Sequence, residues 1–164
     1  MNYTLEAMTK EHRTPVIDIF NHFIEHSYAA YMEEKVGYDF FNYFLSMSNG
    51  YPAVVAKNGN GGIVGFALMH AYHPANAFER TAELTYFIHP DHTGKGIGKS
   101  FLDLFITESR KVGIDCLVAS ISSRNDGSLK FHRKSGFEEC GRFKNVGRKF
   151  GNDFDVVWMQ KHIS

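Results

Sequence analysis

The sequence predicts an α/β chain of the α+β kind, a mixed central β-sheet flanked by helices, in a single domain over residues 1–164. Three observations carry that reading. Apolar positions switch between a two-residue and a 3.6-residue period, in the order β-αα-ββ-β-α-β-α-β-β. The run Asn58-Gly59-Asn60-Gly61-Gly62 separates two apolar stretches as a hairpin turn does. The strand-like run Leu84-Thr85-Tyr86-Phe87-Ile88 passes through a glycine-rich turn into a helix-like run over residues 101–106.

Each element has its own local reason. Residues 3–8 read as a short strand, with Tyr3, Leu5 and Ala7 on one face. Thr9 or Thr14 can cap the next helix, and Pro15 suits a first helical position. Val16, Ile17, Phe20, Phe23 and Ile24 then recur at helical spacing. Residues 38–47 form a second, aromatic helix through Phe40, Phe41, Phe44 and Leu45. Residues 53–56 and 63–70 are strands joined by the hairpin turn. Residues 81–89 form the next strand, closed by Pro90. A helix over 96–112 stacks Ile97, Phe101 and Phe105 and stops at Gly113. Residues 116–121 are a buried-type strand, 125–135 a helix stopped by Gly136, and 137–143 and 154–161 the last strands.

Composition narrows the function. With 164 residues, 43% of them hydrophobic, and with fifteen Phe and eight Tyr, the chain can bury a core and is not of the disordered class. Eighteen basic residues balance eighteen acidic ones, so neither a nucleic-acid footprint nor a polybasic membrane surface is expected. Asn2, Thr4, Glu6 and Lys10 stand where a signal peptide would be apolar. No apolar run approaches the roughly 20 residues of a membrane span. Cys116 and Cys140 read as reduced core thiols of a cytoplasmic protein.

The most informative segment is Thr93-Gly94-Lys95-Gly96-Ile97-Gly98-Lys99-Ser100. Glycines at a strand-to-helix turn bare backbone N–H groups, and the helix N-terminus adds partial positive charge, so the turn suits a phosphate-bearing ligand. A Walker A loop ends correctly in Gly98-Lys99-Ser100, but its first glycine falls on Thr93. The dinucleotide fingerprint fails at Lys99. The acetyl-CoA pattern [QR]-x-x-G-x-[GA] keeps both glycines, Gly96 and Gly98, with Thr93 in place of Gln or Arg.

Further matches stand in the right order. Asn125-Asp126-Gly127-Ser128-Leu129-Lys130-Phe131-His132-Arg133-Lys134-Ser135-Gly136-Phe137 fits N-x-x-[AS]-x-x-x-[YH]-x-x-x-G-F. Val146-Gly147-Arg148-Lys149-Phe150-Gly151, Asp155-Val156-Val157-Trp158-Met159-Gln160 and the first-helix stretch Ile19 to Ser27 add to it. With these segments the chain resembles the GNAT superfamily of N-acetyltransferases over essentially its whole length, in the phosphinothricin and methionine-sulfone acetyltransferase branch.

That resemblance implies an acetyl-CoA co-substrate, no metal, and a small-molecule amine acceptor such as phosphinothricin, methionine sulfone or methionine sulfoximine. It implies Glu83 as general base, because an aliphatic ammonium, with a pKa near 10.4, must lose a proton before it attacks a thioester. It places His132 where most of the superfamily has Tyr, as general acid to the leaving thiolate or as a polar cofactor contact. Phe87, Ile88 and His89 are expected to pair with the pantetheine arm through their backbones. Gly94, Lys95, Gly96, Ile97, Gly98, Lys99 and Ser100 are expected at the pyrophosphate, and Asn125 and Ser128 at pantetheine or phosphate. Tyr28, Tyr31 and Phe78 are expected at the acceptor. The loop before the Glu83 strand lacks the early Arg typical of the branch, having His73 and Pro74 there, which speaks against phosphinothricin itself. Related enzymes dimerise, so a homodimer is expected. A non-catalytic CoA-binding sensor and a P-loop-like nucleotide binder remain as alternatives. His22-Phe23-Ile24-Glu25-His26 fits the inverted zinc-peptidase spacing H-x-x-E-H, but no further ligand announces itself.

Overall fold

A computed structural model describes residues 2–164. Its seven strands form one sheet in the order β1-β2-β3-β4-β5-β7-β6. They are β1 (Thr4–Ala7), β2 (Ala53–Lys57), β3 (Ile63–Ala71), β4 (Thr81–Ile88), β5 (Cys116–Ser122), β6 (Glu138–Lys149) and β7 (Asn152–His162). Four α-helices cover it: α1 (Arg13–His26), α2 (Phe41–Met47), α3 (Ile97–Lys111) and α4 (Asp126–Lys134). All pairs are antiparallel except β4 with β5. The mixed sheet and its helices match the expected order element for element.

The sheet has apolar side chains on both faces, which is why helices cover both. Leu84, Leu117, Ala119 and Ile121 pack with Ile97, Phe101 and Phe105 of α3 on one face. Phe66, Leu68 and Phe87 pack with Ile17, Phe20 and Phe44 of α1 and α2 on the other. The stacked Ile97, Phe101 and Phe105 are all buried, as their i, i+4 spacing requires. Gly113 and Gly136 end the two following helices with φ of +79° and +90°, which a residue with a Cβ adopts only under strain.

Boundaries shift where local chemistry overrides pattern. Thr9 caps a short 3-10 turn, Lys10–His12, in which the Thr9 N–H donates to His12 Nδ1 at 3.0 Å. Pro15 accordingly falls in the first turn of α1 and not at its first position. Strand β6 runs six residues past the expected 143. Bulges near Cys140 and Asn145 break its register, the second held by the Asn145 N–H donating to Asp155 Oδ1 at 2.8 Å. Because nearly all of β6 is exposed at the sheet edge, it shows no in–out alternation to read. The same edge position corrects one expectation: Cys116 is a buried thiol, but Cys140 is exposed.

Candidate active site

The site begins with a gap in the sheet. Parallel strands β4 and β5 pair only at Thr81–Cys116, Ala82–Leu117 and Glu83–Val118, and then part. Beyond Glu83 the backbone groups that β4 points toward β5 have no ladder. Which groups these are follows from the register with β3. The His89 N–H donates to Val64 O at 2.8 Å. Antiparallel alternation then turns Phe87 toward β3 as well, and turns the N–H groups of Tyr86 and Ile88 into the gap. Of the three backbones expected to meet pantetheine, Ile88 faces the gap, whereas Phe87 and His89 bond to β3.

Two cavities open along this gap. The larger, about 840 Å³, runs past Ile88, Gly94, Gly96, Ile97, Gly98 and Lys99 to Asn125 and Ser128. Its glycines are built for close approach. Gly94 and Gly96 have φ of +72° and +90°, and a Cβ on Gly98 would sit 3.3 Å from the Phe131 ring. Gly96 is the N-cap of α3, so this helix terminus faces the cleft. Arg124, Lys130 and Lys134 join Lys99 along the wall. Sequence reasoning missed those three, since cations beside a helix carry no motif. Lys95 and Ser100 lie outside the lining: the Lys95 Nζ donates to Asp91 O at 3.1 Å, and the Ser100 hydroxyl to Gly96 O at 3.1 Å. These residues fit a long phosphate-bearing ligand of the coenzyme A kind.

The smaller cavity, about 300 Å³, lies against the α1–α2 side and is walled by Phe20, Tyr31, Phe40, Tyr43 and Phe44. Ala29, Tyr86, Phe87, Asn125 and Ser128 line both cavities and mark where they meet. Of the three expected acceptor residues, Tyr31 lines the small cavity and Tyr28 the large one. Phe78 lines neither; it packs on Tyr72, which in turn meets Trp158 of β7.

Glu83 sits at the base of the gap, in the strand directly before Leu84 and Thr85, which line the small cavity. Its carboxylate lies 3.8 Å from His70 Nε2, with both side chains mostly buried. Burial raises its pKa, opposed by His70 and by the Ser120 hydroxyl. Burial likewise raises Tyr31, which shares Ser120 and feels the Glu83 charge. Tyr31 and Ser120 line the small cavity, whereas Glu83 lines neither cavity and reaches this wall only through its neighbour Ser120, a residue that carried no sequence signal.

His132 is 2% exposed. Its Nδ1 lies 2.7 Å from Ser128 O, so the proton sits on Nδ1 and Nε2 is an acceptor. The Tyr86 hydroxyl donates to that Nε2, with the two rings stacked. Burial lowers the His132 pKa and raises that of Tyr86, so both are neutral at physiological pH. Asn125 caps α4, its side-chain oxygen accepting from the Ser128 N–H at 3.2 Å. On α1, the His22 and His26 rings lie 4.8 Å apart. Among the described residues no group of three or more His, Cys, Asp or Glu is placed to hold a metal ion. Nor, among them, is any helix long and apolar enough to cross a membrane.

A phosphate cradle that opens, through a break in a sheet, onto a second, largely aromatic cavity is the layout of an acyltransferase that uses a phosphate-bearing acyl carrier. The chain belongs to the acetyltransferase (GNAT) family, whose model matches residues 16–137, and it is an N-acetyltransferase. It is 33% identical to the L-amino acid N-acyltransferase MnaT of Escherichia coli, over 90% of this chain and 87% of that protein. It is 31% identical to the L-methionine sulfoximine/L-methionine sulfone acetyltransferase of Salmonella typhimurium, over 98% and 94%. Its fold matches a phosphinothricin acetyltransferase of Sinorhizobium meliloti, solved in complex with acetyl-CoA, with a TM-score of 0.93 at 28% identity, covering 100% and 90% of the two chains.

Proposed function

We propose that this enzyme transfers the acetyl group of acetyl-CoA to the primary amine of a small amino-acid-like molecule, with Glu83 as general base. The observation that carries this reading is the meeting of the two cavities at Tyr86, Asn125 and Ser128, with Ser120 of the small cavity next to the buried Glu83 carboxylate. Bound acetyl-CoA supplies a thioester already activated toward an amine. The Ile88 N–H, turned into the gap, can donate to a carbonyl oxygen that gains negative charge. The Glu83 carboxylate accepts a proton from the ammonium group, directly or through the Ser120 hydroxyl or a water. The relatives named for methionine sulfone and phosphinothricin support the acceptor class. The same reading takes the enzyme to be a cytoplasmic homodimer; sedimentation of the purified protein tests the second half of that statement.

Thiol release from acetyl-CoA, measured over a panel of amino acids and their analogues, tests the reaction. CoA binding without turnover on any amine points to a sensor instead. Protection by ATP but not by acetyl-CoA points to a nucleotide binder.

The small cavity carries a selectivity. Among the described residues its lining includes no Lys or Arg. An anionic side chain buried there would have no partner cation. Methionine sulfone and methionine sulfoximine should therefore exceed phosphinothricin in kcat/KM by about tenfold or more. Equal values would place a cation at the acceptor that the lining does not hold.

His132 in this reading is a positioning residue: with its Nε2 proton absent, it holds the Tyr86 hydroxyl at the junction of the cavities. A thiolate only accepts, so to serve the leaving group that hydroxyl turns its single hydrogen from His132 Nε2 to the sulfur. Tyr86→Phe should lower kcat by about tenfold with the KM for acetyl-CoA within about twofold. An unchanged kcat would make the hydroxyl a spectator.

A further inference from the structure

Residues 27–33, between α1 and α2, carry no helix or strand, yet they wall both cavities. Ser27, Tyr28 and Ala29 face the large cleft; Ala29, Ala30, Tyr31 and Met32 face the small one. Backbone without a ladder needs other partners. Here they come from the far end of the chain, at the turn between β6 and β7. Lys149 is 0% exposed, and its Nζ donates to Ser27 O at 2.7 Å and to Ala30 O at 2.6 Å. The Phe150 ring centroid lies 4.8 Å from the same nitrogen. The Phe150 N–H donates to Glu33 Oε1 at 2.7 Å, and Asn152 Nδ2 to the Tyr28 hydroxyl at 2.9 Å. The Tyr31 ring stacks on Phe154, 5.6 Å between centroids and 9° from parallel.

A fully buried lysine is costly unless its donors are used. The two donors used here bind carbonyls of one short segment. Burial lowers the Lys149 pKa, against the opposing pull of Glu33.

We propose that Lys149 is a positioning residue of the acceptor site. By tying the Ser27 and Ala30 carbonyls to the β6–β7 turn, it fixes the wall that Ala30 and Tyr31 present to the amine. This rests on the reading that the small cavity receives the acceptor. Lysine is suited to the task because its long unbranched stem crosses the apolar layer and ends in a multiple donor, whereas a planar guanidinium is larger and a thioether donates nothing.

The test is Lys149→Met, which keeps the stem's length and removes the donors. The acceptor KM should rise by about tenfold or more, because small misplacements of a binding wall carry large kinetic effects. The KM for acetyl-CoA should change by less than about threefold: Ser27, Tyr28 and Ala29 touch one side of its cleft, but the glycine cradle that holds its phosphates lies elsewhere. Hydrogen exchange should quicken in residues 27–33 and stay slow in β3 and β4. An acceptor KM within about twofold of wild type, or unchanged exchange in that segment, overturns the proposal. If Lys149→Met does not fold, Glu33→Ala at the exposed end of the same tie should give the same pattern at about threefold; no effect there overturns it equally. A wild-type enzyme that acetylates no amine would defeat the functional reading, while the exchange measurement would still judge the tie.

Discussion

Glu83→Gln should lower kcat/KM for the acceptor by about 10²–10⁴-fold, the usual range for loss of a positioned general base. Glutamine keeps the shape and can still accept a hydrogen bond from Ser120, so the loss isolates proton transfer from packing. The pH profile carries the sign. Burial raises the Glu83 pKa, and the base works only when ionised. Wild-type kcat/KM should therefore rise with pH through that raised pKa, and the limb should vanish in the variant. Stability should move the other way. Above the raised pKa the native state holds a charged carboxylate in a mostly buried setting, and below it the group is neutral. Gln removes that desolvation cost, so Glu83→Gln should melt higher than wild type at alkaline pH and match it at acid pH. A profile and rate like those of the wild type would take the base role from Glu83, and His70 would be the next residue to test.

The sequence made the frame readable because most of the frame is periodic. The stacked Ile97, Phe101 and Phe105, the hairpin glycines after Asn58 and the stop glycines at 113 and 136 each satisfy one local rule, and the fold obeys all of them. The phosphate cradle was readable for the same reason, since positive φ at Gly94 and Gly96 is a backbone demand that only glycine meets without strain. What sequence could not show was pairing across long separations. Ser120 meets Glu83 only because β4 and β5 start in register before they part. Tyr86 meets His132 across 46 positions, and Lys149 meets Ser27 across 122. Phe78 looked like an acceptor residue because it is aromatic and precedes the Glu83 strand, but the loop that carries it folds toward β7. The direction of a backbone N–H is equally invisible: Phe87 and His89 share a strand with Ile88, yet alternation turns them to β3.

Gly96→Val should weaken acetyl-CoA binding by about a hundredfold or more, measured by titration calorimetry, with the far-UV spectrum unchanged. Gly96 stands at φ +90° as the N-cap of α3. A β-branched residue there is a genuine outlier, and such strain is of order 1–3 kcal/mol. The turn can relieve it only by rotating the peptides that aim N–H groups into the cleft, which removes the cradle as well as straining it. Nothing lies within 4 Å of a Cβ built at Gly96, so the effect would come from backbone conformation and not from a clash with the core. Two further variants separate the sources of affinity. Lys95→Ala should change binding by no more than about twofold, because its exposed ammonium is turned back to the Asp91 carbonyl and screened by solvent. Gly98→Ala should fall between them, since its Cβ would press on the Phe131 ring at 3.3 Å while its φ stays ordinary. Thr93 belongs to the same comparison. Its hydroxyl donates to Pro90 O at 3.0 Å and closes the turn that leads into the cradle. Replacing it with the Gln usual at that position trades a turn contact for a side chain able to reach phosphate. If binding survives Gly96→Val but fails in Lys95→Ala, the anion is held by side-chain charge, and the glycine turn is only a turn.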